Sequence, residues 1–179
     1  LKMLKVAVPL GLLLTLGYIT QSSGLTHSTA AITGFVTGLY VIFTPLLSAI
    51  FLKKVITKIE WAGVFVATIG LGILSLRGWA IGFGEFLTLL CALFFALHII
   101  GLGEWSSRFA TYPLTVVQLA TVAIFTGIAG FSNGYVSPPD SEVWRAILIT
   151  ALFATSAGFL IQTWAQSHMD ATTVAVILT

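Results

Sequence analysis

Residues 86–100 read Phe86-Leu87-Thr88-Leu89-Leu90-Cys91-Ala92-Leu93-Phe94-Phe95-Ala96-Leu97-His98-Ile99-Ile100, an apolar run broken only by Thr88 and His98. A strand of a membrane barrel would need short segments of alternating polarity, so this stretch reads as a helix. A spanning helix takes about 20 mainly apolar residues, and working outward the run extends to 81–103. Five more stretches of the same kind lie at 6–25, 29–52, 60–77, 111–131 and 144–166, each bounded by charges, Gly or Pro. A seventh begins near Ala171 and is cut off. The expected fold is all-α: a polytopic membrane helix bundle of about seven helices, the last truncated.

Composition agrees with that solvent. The chain has 179 residues, 58% hydrophobic and 8% charged, with a mean hydropathy of +1.05. Soluble domains carry about 25% charged residues, so a soluble, disordered or disulfide-stapled secreted protein is excluded. The one cysteine, Cys91, has no internal partner, and its apolar neighbours predict a buried thiol. A net charge of +2, spread along the chain, excludes the basic stripe of a nucleic-acid-binding protein. The chain starts at Leu1 and stops inside the apolar run 174–178, which predicts an internal fragment.

Lys2 and Lys5 followed by residues 6–19 imitate a secretory signal peptide, but an internal repeat argues against it. Gly17-Tyr18-Ile19-Thr20-Gln21 and His27 match Gly158-Phe159-Leu160-Ile161-Gln162 and His168 at a constant offset of 141. Five helix steps separate the matched helices, so they cross the membrane in opposite directions, the inverted repeat common among secondary transporters. The offset places two helices before Leu1 and roughly 40 residues after Thr179, giving a parent of about 280 residues and ten helices, five plus five. The domains are then 1–78, the end of the first repeat, and 79–179, most of the second.

Lys2, Lys5, Lys53, Lys54, Lys58 and Arg108 lie on the side where the first helix starts, and only Arg77 and Arg145 lie on the other. The positive-inside rule puts the first set in the cytoplasm and the connection 132–142, with Pro138-Pro139, outside. Trp61, Trp79, Trp105 and Trp144 each sit beside a helix end, where indole rings anchor in the headgroup region.

Polar side chains facing lipid are costly, so their angular distribution marks the face that meets protein or water. Thr33, Thr37, Tyr40, Thr44 and Ser48 recur at steps of 4, 3, 4 and 4 on one helix face. Thr155, Phe159, Gln162 and Gln166 repeat the spacing, while Thr15, Tyr18, Gln21 and Ser22 cover a broader arc. Three such faces can converge on one hydrated cavity, although single threonines more often bond back to their own helix. An amide has more donors and acceptors than a nearby carbonyl can satisfy, which raises Gln21, Gln162 and Gln166 above them. Ala30, Gly34 and Gly38, like Gly63 and Ala67, are spaced as close-packing seams. Pro9, Pro45 and Pro113 interrupt or start helices; Pro45, beside the polar stripe, suits a bend or hinge.

Ionisable groups are few. Glu85 near a helix start suits a capping role, and His98 suits packing more than proton shuttling. No HExxH, GxSxG, P-loop or paired carboxylates on one helix occur. No enzyme, metal or cofactor is expected.

These residues resemble the EamA-type members of the drug/metabolite transporter superfamily over nearly the whole chain. The most specific passage runs from Gly24-Leu25 through Ser28-Thr29-Ala30 to Phe35-Val36-Thr37-Gly38-Leu39-Tyr40-Val41 and Pro45. Glu60-Trp61-Ala62-Gly63 leading to Gly70-Leu71-Gly72, Gly84-Glu85 leading to 91–98, and Gln162-Thr163-Trp164-Ala165-Gln166 with Ala171-Thr172 follow in order. The resemblance assigns the seven helices as three to nine of ten. It implies an inner-membrane carrier with both termini cytoplasmic and a central cavity. Departures are Lys53-Lys54, where the family often has Gly-Glu, and a Glu-Pro that would fall beyond Thr179.

The expected function is secondary transport, export of amino acids or other small metabolites by alternating access. Gln21, Thr37, Tyr40 and Gln162 are the expected cavity residues, with Tyr18, Gln118, Gln166 and His98 as further candidates. The partners are a small-molecule substrate and the lipid bilayer, with a homodimer left open. The competing reading is a non-transporting structural or regulatory bundle, which predicts dry, closed packing along residues 33–48.

Overall fold

The computed structural model describes residues 1–55, 57–75, 82–132, 134 and 137–178. Among the described residues the chain forms seven helical rods. They are α1 (Leu4–Leu25), a broken rod of α2 (Ala30–Gly38) and α3 (Tyr40–Leu52), α4 (Lys58–Ser75), α5 (Phe83–Trp105) and α6 (Thr111–Ser132). A second broken rod comprises α7 (Ser141–Ile149), a π-helical stretch Thr150–Ala157 and α8 (Gly158–Gln166), and α9 (Ala171–Ile177) ends the series. Among the described residues five rods are long and apolar enough to cross a membrane: Leu4–Leu25, Ala30–Leu52, Phe83–Arg108, Thr111–Phe131 and Ser141–Gln166. The sixth expected span, 60–77, corresponds to α4, and its far end lies outside the described residues, as do Arg77, Trp79 and the side chain of Ala67.

The central rod is α5, which packs against α1, α2, α3, α8 and α9; α1 also lies along α6. Two glycines set the α1–α5 distance. A Cβ on Gly24 would sit 2.5 Å from Thr88 Oγ1 and 2.8 Å from the Gly84 carbonyl, and one on Gly84 would sit 2.9 Å from the Gly24 carbonyl. Without side chains the two backbones meet, and small apolar clusters close around the crossing. Ala7, Leu10, Leu102 and Leu114 pack together toward one end, and Val36, Leu39 and Ala92 join α2 to α5.

The expected seam on α2 and α4 is corrected. Among the described residues Gly34 and Gly63 have nothing within 4 Å of where a Cβ would lie, and with Gly38 they line an apolar groove of about 510 Å³ between α2–α3 and α4. Spacing marks glycines on one face, but only the neighbouring rod decides whether that face is a contact. The expected bend also moves. The break falls at Leu39, whose N–H bonds the Val36 carbonyl three residues back, six residues before Pro45, which stays buried inside α3.

The repeat offset of 141 reappears bond for bond at two helix ends. Thr26 Oγ1 donates to the Ser23 carbonyl and lies 2.8 Å from His27 Nδ1; Ser167 Oγ donates to the Trp164 carbonyl and lies 2.8 Å from His168 Nδ1. Each imidazole also reaches the carbonyl four residues back. The next helix is capped at the matching position: Thr29 Oγ1 accepts from Ile32 N–H and Asp170 Oδ1 from Thr173 N–H. Loop histidines that look like ligand candidates in isolation are thus helix-ending residues.

Replacing Gly24 with Val is expected to destabilise the bundle by about 1–3 kcal/mol through overpacking. Gly34→Ala, which meets open space, gains helix propensity instead, up to about 1 kcal/mol; melting curves in detergent distinguish the two. Desolvation opposes ionisation of Asp170, but hydrogen bonds from Thr173 and the nearby backbone outweigh it and hold the carboxyl below its ordinary value of 3.8. Its stabilising effect is therefore full above that ordinary value and lost as pH falls through the lower folded one. Asp170→Ala should cost about 1 kcal/mol at neutral pH, with the difference from the native chain vanishing in strong acid.

Candidate functional site

Both broken rods border one cavity. It has a volume of about 230 Å³ and is lined by Leu14 and Tyr18 of α1, Tyr40 of α3, Phe95, His98 and Ile99 of α5, Ala154 of the π stretch, and Gly158, Phe159 and Gln162 of α8, with Leu178 beside them. The break at Leu39 immediately precedes Tyr40. The π stretch, where Ser156 Oγ donates to the carbonyl of Ala151 five residues back, ends at Gly158. Irregular helix at membrane depth is tolerated where it faces protein or a cavity, and π turns gather at functional sites.

The walls are largely aromatic. Tyr18 meets Phe95 and Phe159 edge-on at 5.6 and 6.5 Å, and His98 meets Phe159 edge-on at 6.1 Å. Tyr40 packs against the cluster of Ile99, Ala171 and Ala175. Behind the rings run buried amides. Gln118 on α6, 2% exposed, places Oε1 2.8 Å from His98 Nε2 and donates from Nε2 to the Leu114 carbonyl. Gln166 donates to the Ile99 carbonyl at 2.7 Å and accepts from Gln162 Nε2 at 3.1 Å.

Of the four residues first expected in the cavity, Tyr40 and Gln162 line it. Gln21 and Thr37 do not: Gln21 Nε2 donates to Thr37 Oγ1 at 3.0 Å. The two tie α1 to α2 instead. Of the further candidates, Tyr18 and His98 reach the cavity, while Gln118 and Gln166 stand behind it. The polar stripe of 33–48 is mostly closed. Thr44 is fully buried and bonds back to the Tyr40 carbonyl, and the enclosed hydroxyls of Thr33 and Ser48 have no partner among the described residues. Three polar faces do not merge in one space; only their turns at Tyr18, Tyr40 and Gln162 meet. Glu85, in the first turn of α5, accepts a 2.8 Å hydrogen bond from Ser28, a contact between helix ends.

Residues missed by the sequence reading are Phe95 and the π stretch around Ala154. Gly17 gives a signal for the first: its missing side chain admits the Phe95 ring, whose nearest atom would lie 2.3 Å from a Cβ. The π stretch has no signal in the apolar pattern of 144–166. Among the described residues no group of three metal-ligating side chains exists.

Residues 1–76 and 82–179 match the EamA-like transporter family. The chain belongs to the EamA-like transporter family. A relative named an uncharacterized transporter, from Archaeoglobus fulgidus, is 35% identical over 173 residues, covering 94% of this chain and 54% of that protein. The chain thus spans about half the length of that relative. A solved crystal structure superposes with a TM-score of 0.67 at 17% identity, over 98% of this chain and 71% of that one; at that identity it speaks for the fold alone. The family and the five long apolar rods among the described residues agree on a multi-pass membrane protein.

Aqueous access separates the cavity from the closed stripe. In a Cys91→Ala background, Tyr18→Cys and Gln162→Cys are expected to react with a water-soluble maleimide at least about tenfold faster than Thr44→Cys or Thr88→Cys, since thiol reactivity requires access.

Proposed function

We propose that the whole protein is a secondary carrier in the cell's inner (plasma) membrane, exporting amino acids or other small metabolites by alternating access. The observation that carries this reading is the cavity where α1, α3, α5 and the α7–α8 rod converge, bordered by both helix breaks. Breaks of this kind let one part of a bundle rock against another around a binding site. The substrate pathway is assigned to Tyr18, Tyr40, His98 and Gln162, with Gln118 and Gln166 behind them. Gln21 and Thr37 are assigned to the α1–α2 contact that moves with the first repeat. The chain supplies helices three to nine of ten in a five-plus-five inverted repeat, divided at 1–78 and 79–179. The repeated hydrogen bonds at His27 and His168 support this arrangement.

Cytoplasmic termini of the ten-helix protein follow from the Lys and Arg count. Three of the counted cations, Lys2, Lys5 and Arg108, line one hollow, and Lys54 pairs with Glu104 near the end of α5, which supports placing them on one side. The alternative, a bundle merely cemented by polar contacts, draws support from the closed packing at Thr33, Thr44 and Ser48. It does not account for the cavity beside Tyr40.

The test is flux. Proteoliposomes containing the whole protein are loaded with a labelled panel of amino acids and small metabolites, with Gln162→Ala and Tyr40→Ala in parallel. A saturable flux is expected, falling about tenfold in each variant, the scale of one lost hydrogen bond to a substrate. Absence of flux for every compound, with the cavity cysteines unreactive, would support the cemented bundle instead.

A further inference from the structure

Three cations gather at a second hollow, of about 680 Å³, away from the cavity. Lys2 and Lys5 reach it from the start of α1, and Arg108 from the short turn Ser106–Arg108 that follows α5. These are ends of the apolar spans Leu4–Leu25 and Phe83–Arg108, and Trp105 on the rim suits the level where hydrocarbon gives way to headgroups. The floor is apolar. Val6, Leu10 and Phe109 line it and belong to, or pack against, the cluster that joins α1 to α5 and α6. Gly101 admits Leu10 to that floor, since a Cβ there would lie 2.8 Å from Leu10 Cδ2.

The charge at this hollow is unbalanced. No Asp or Glu lines it among the described residues. Glu104, the acid nearest in sequence, pairs with Lys54 at 3.3 Å, and Glu142 pairs with Arg145. Lys2, Lys5 and Arg108 have no carboxylate partner among the described residues. Arg108 is steadied by an aromatic ring instead: its guanidinium carbon stands 4.4 Å from the centre of the Trp105 ring. Stacking occupies the face of a guanidinium and leaves its N–H edge for an oxyanion. Lysine stems lie along apolar walls and carry the ammonium to the polar edge.

A free inorganic anion would use the cations and gain nothing from Val6, Leu10 and Phe109. A lipid of no net charge would use the walls and leave the three positive charges uncompensated. We infer that this hollow binds an anionic phospholipid, its phosphate diester among Lys2, Lys5 and Arg108 and an acyl chain against the apolar floor. Basic pockets between membrane helices take anionic headgroups in this way. The lipid joins the start of α1 to the turn after α5, the ends opposite those that Gly24 and Gly84 bring together. The inference rests on the spans alone and holds whether or not the protein is a carrier.

Native mass spectrometry of the whole protein, titrated in detergent with equal amounts of dioleoylphosphatidylglycerol and dioleoylphosphatidylcholine, tests this. The two lipids share their chains, so the ratio in which they are retained reads the headgroup. Phosphatidylglycerol is expected to be retained at least about tenfold over phosphatidylcholine. One basic side chain near an anionic headgroup is worth about a fivefold change in affinity, so Lys2→Gln, Lys5→Gln and Arg108→Gln should each lower the ratio by about that factor. Arg108→Lys keeps the charge without the stacked fork and is expected to restore part of the loss. Lys58→Gln, at the start of α4 and outside the hollow, should leave the ratio unchanged.

Equal retention of the two lipids by the native protein overturns the inference. A ratio that none of the three Gln variants lowers places the lipid elsewhere and overturns it too, as does a ratio that Lys58→Gln lowers equally, the mark of diffuse attraction to a basic surface. Excess inorganic phosphate separates the two sources of the anion. Displacement of phosphatidylglycerol beyond that caused by chloride at the same ionic strength makes the hollow a soluble-anion site and overturns the lipid, whereas retention supports it.

Discussion

The crossing of α1 and α5 at Gly24 and Gly84 is the contact on which the other packing depends. Between apolar helices in lipid there is little hydrophobic drive to associate, so association rests on close packing and hydrogen bonds. Two glycines facing each other bring backbone against backbone, and this fixes the distance at which Leu10 meets Leu102 and Leu114 at one end of the pair. It also holds Gly17 opposite Phe95, so that the ring turns toward Tyr18 instead of filling the space beside it. The cavity wall is therefore set by missing side chains two turns away from the polar residues that face it.

Buried polar groups in this bundle divide by how they are satisfied. Thr15, Thr44, Thr88, Thr115, Thr121 and Thr163 each bond to the carbonyl four residues back, which closes their account within one helix and makes them inert toward neighbours. Three of the four glutamines bond between helices: Gln21 to α2, Gln118 to α5, Gln166 to α5. An amide has a donor end and an acceptor end, and when one is spent on a main-chain carbonyl the other is oriented as well. Orientation without charge suits the membrane interior, where an ionised side chain is costly.

The helices and the matching bonds at two of their ends were legible because they rest on local pattern: apolar length, capping residues and a constant offset. Gln162, Tyr40, Tyr18 and His98 stood out as polar groups in apolar runs, and the structure gathers all four. Gln21 and Thr37 stood out by the same rule yet satisfy each other, because a pattern shows that a polar group needs a partner and not which one it finds. The face of Gly34 and Gly63 was misread for the same reason, since glycine spacing is identical whether a rod lies across it or not. The turn at Leu39 and the π stretch leave no mark in the apolar pattern. Neither Gly38-Leu39 nor residues 150–157 carries a residue that would force it.

The π stretch also changes how the rod carrying Gln162 can vary. At 3.6 residues per turn each residue advances an α-helix by about 100°, so accommodating an extra residue between Thr150 and Ala157 separates the angular bookkeeping of α7 from that of α8. A one-residue deletion there would be absorbed by reversion to α geometry, with α7 and α8 keeping their faces and Gln162 and Gln166 staying in register with α5. The rod thus carries a spare residue in its middle, so its length can change by one without turning the half that faces the cavity.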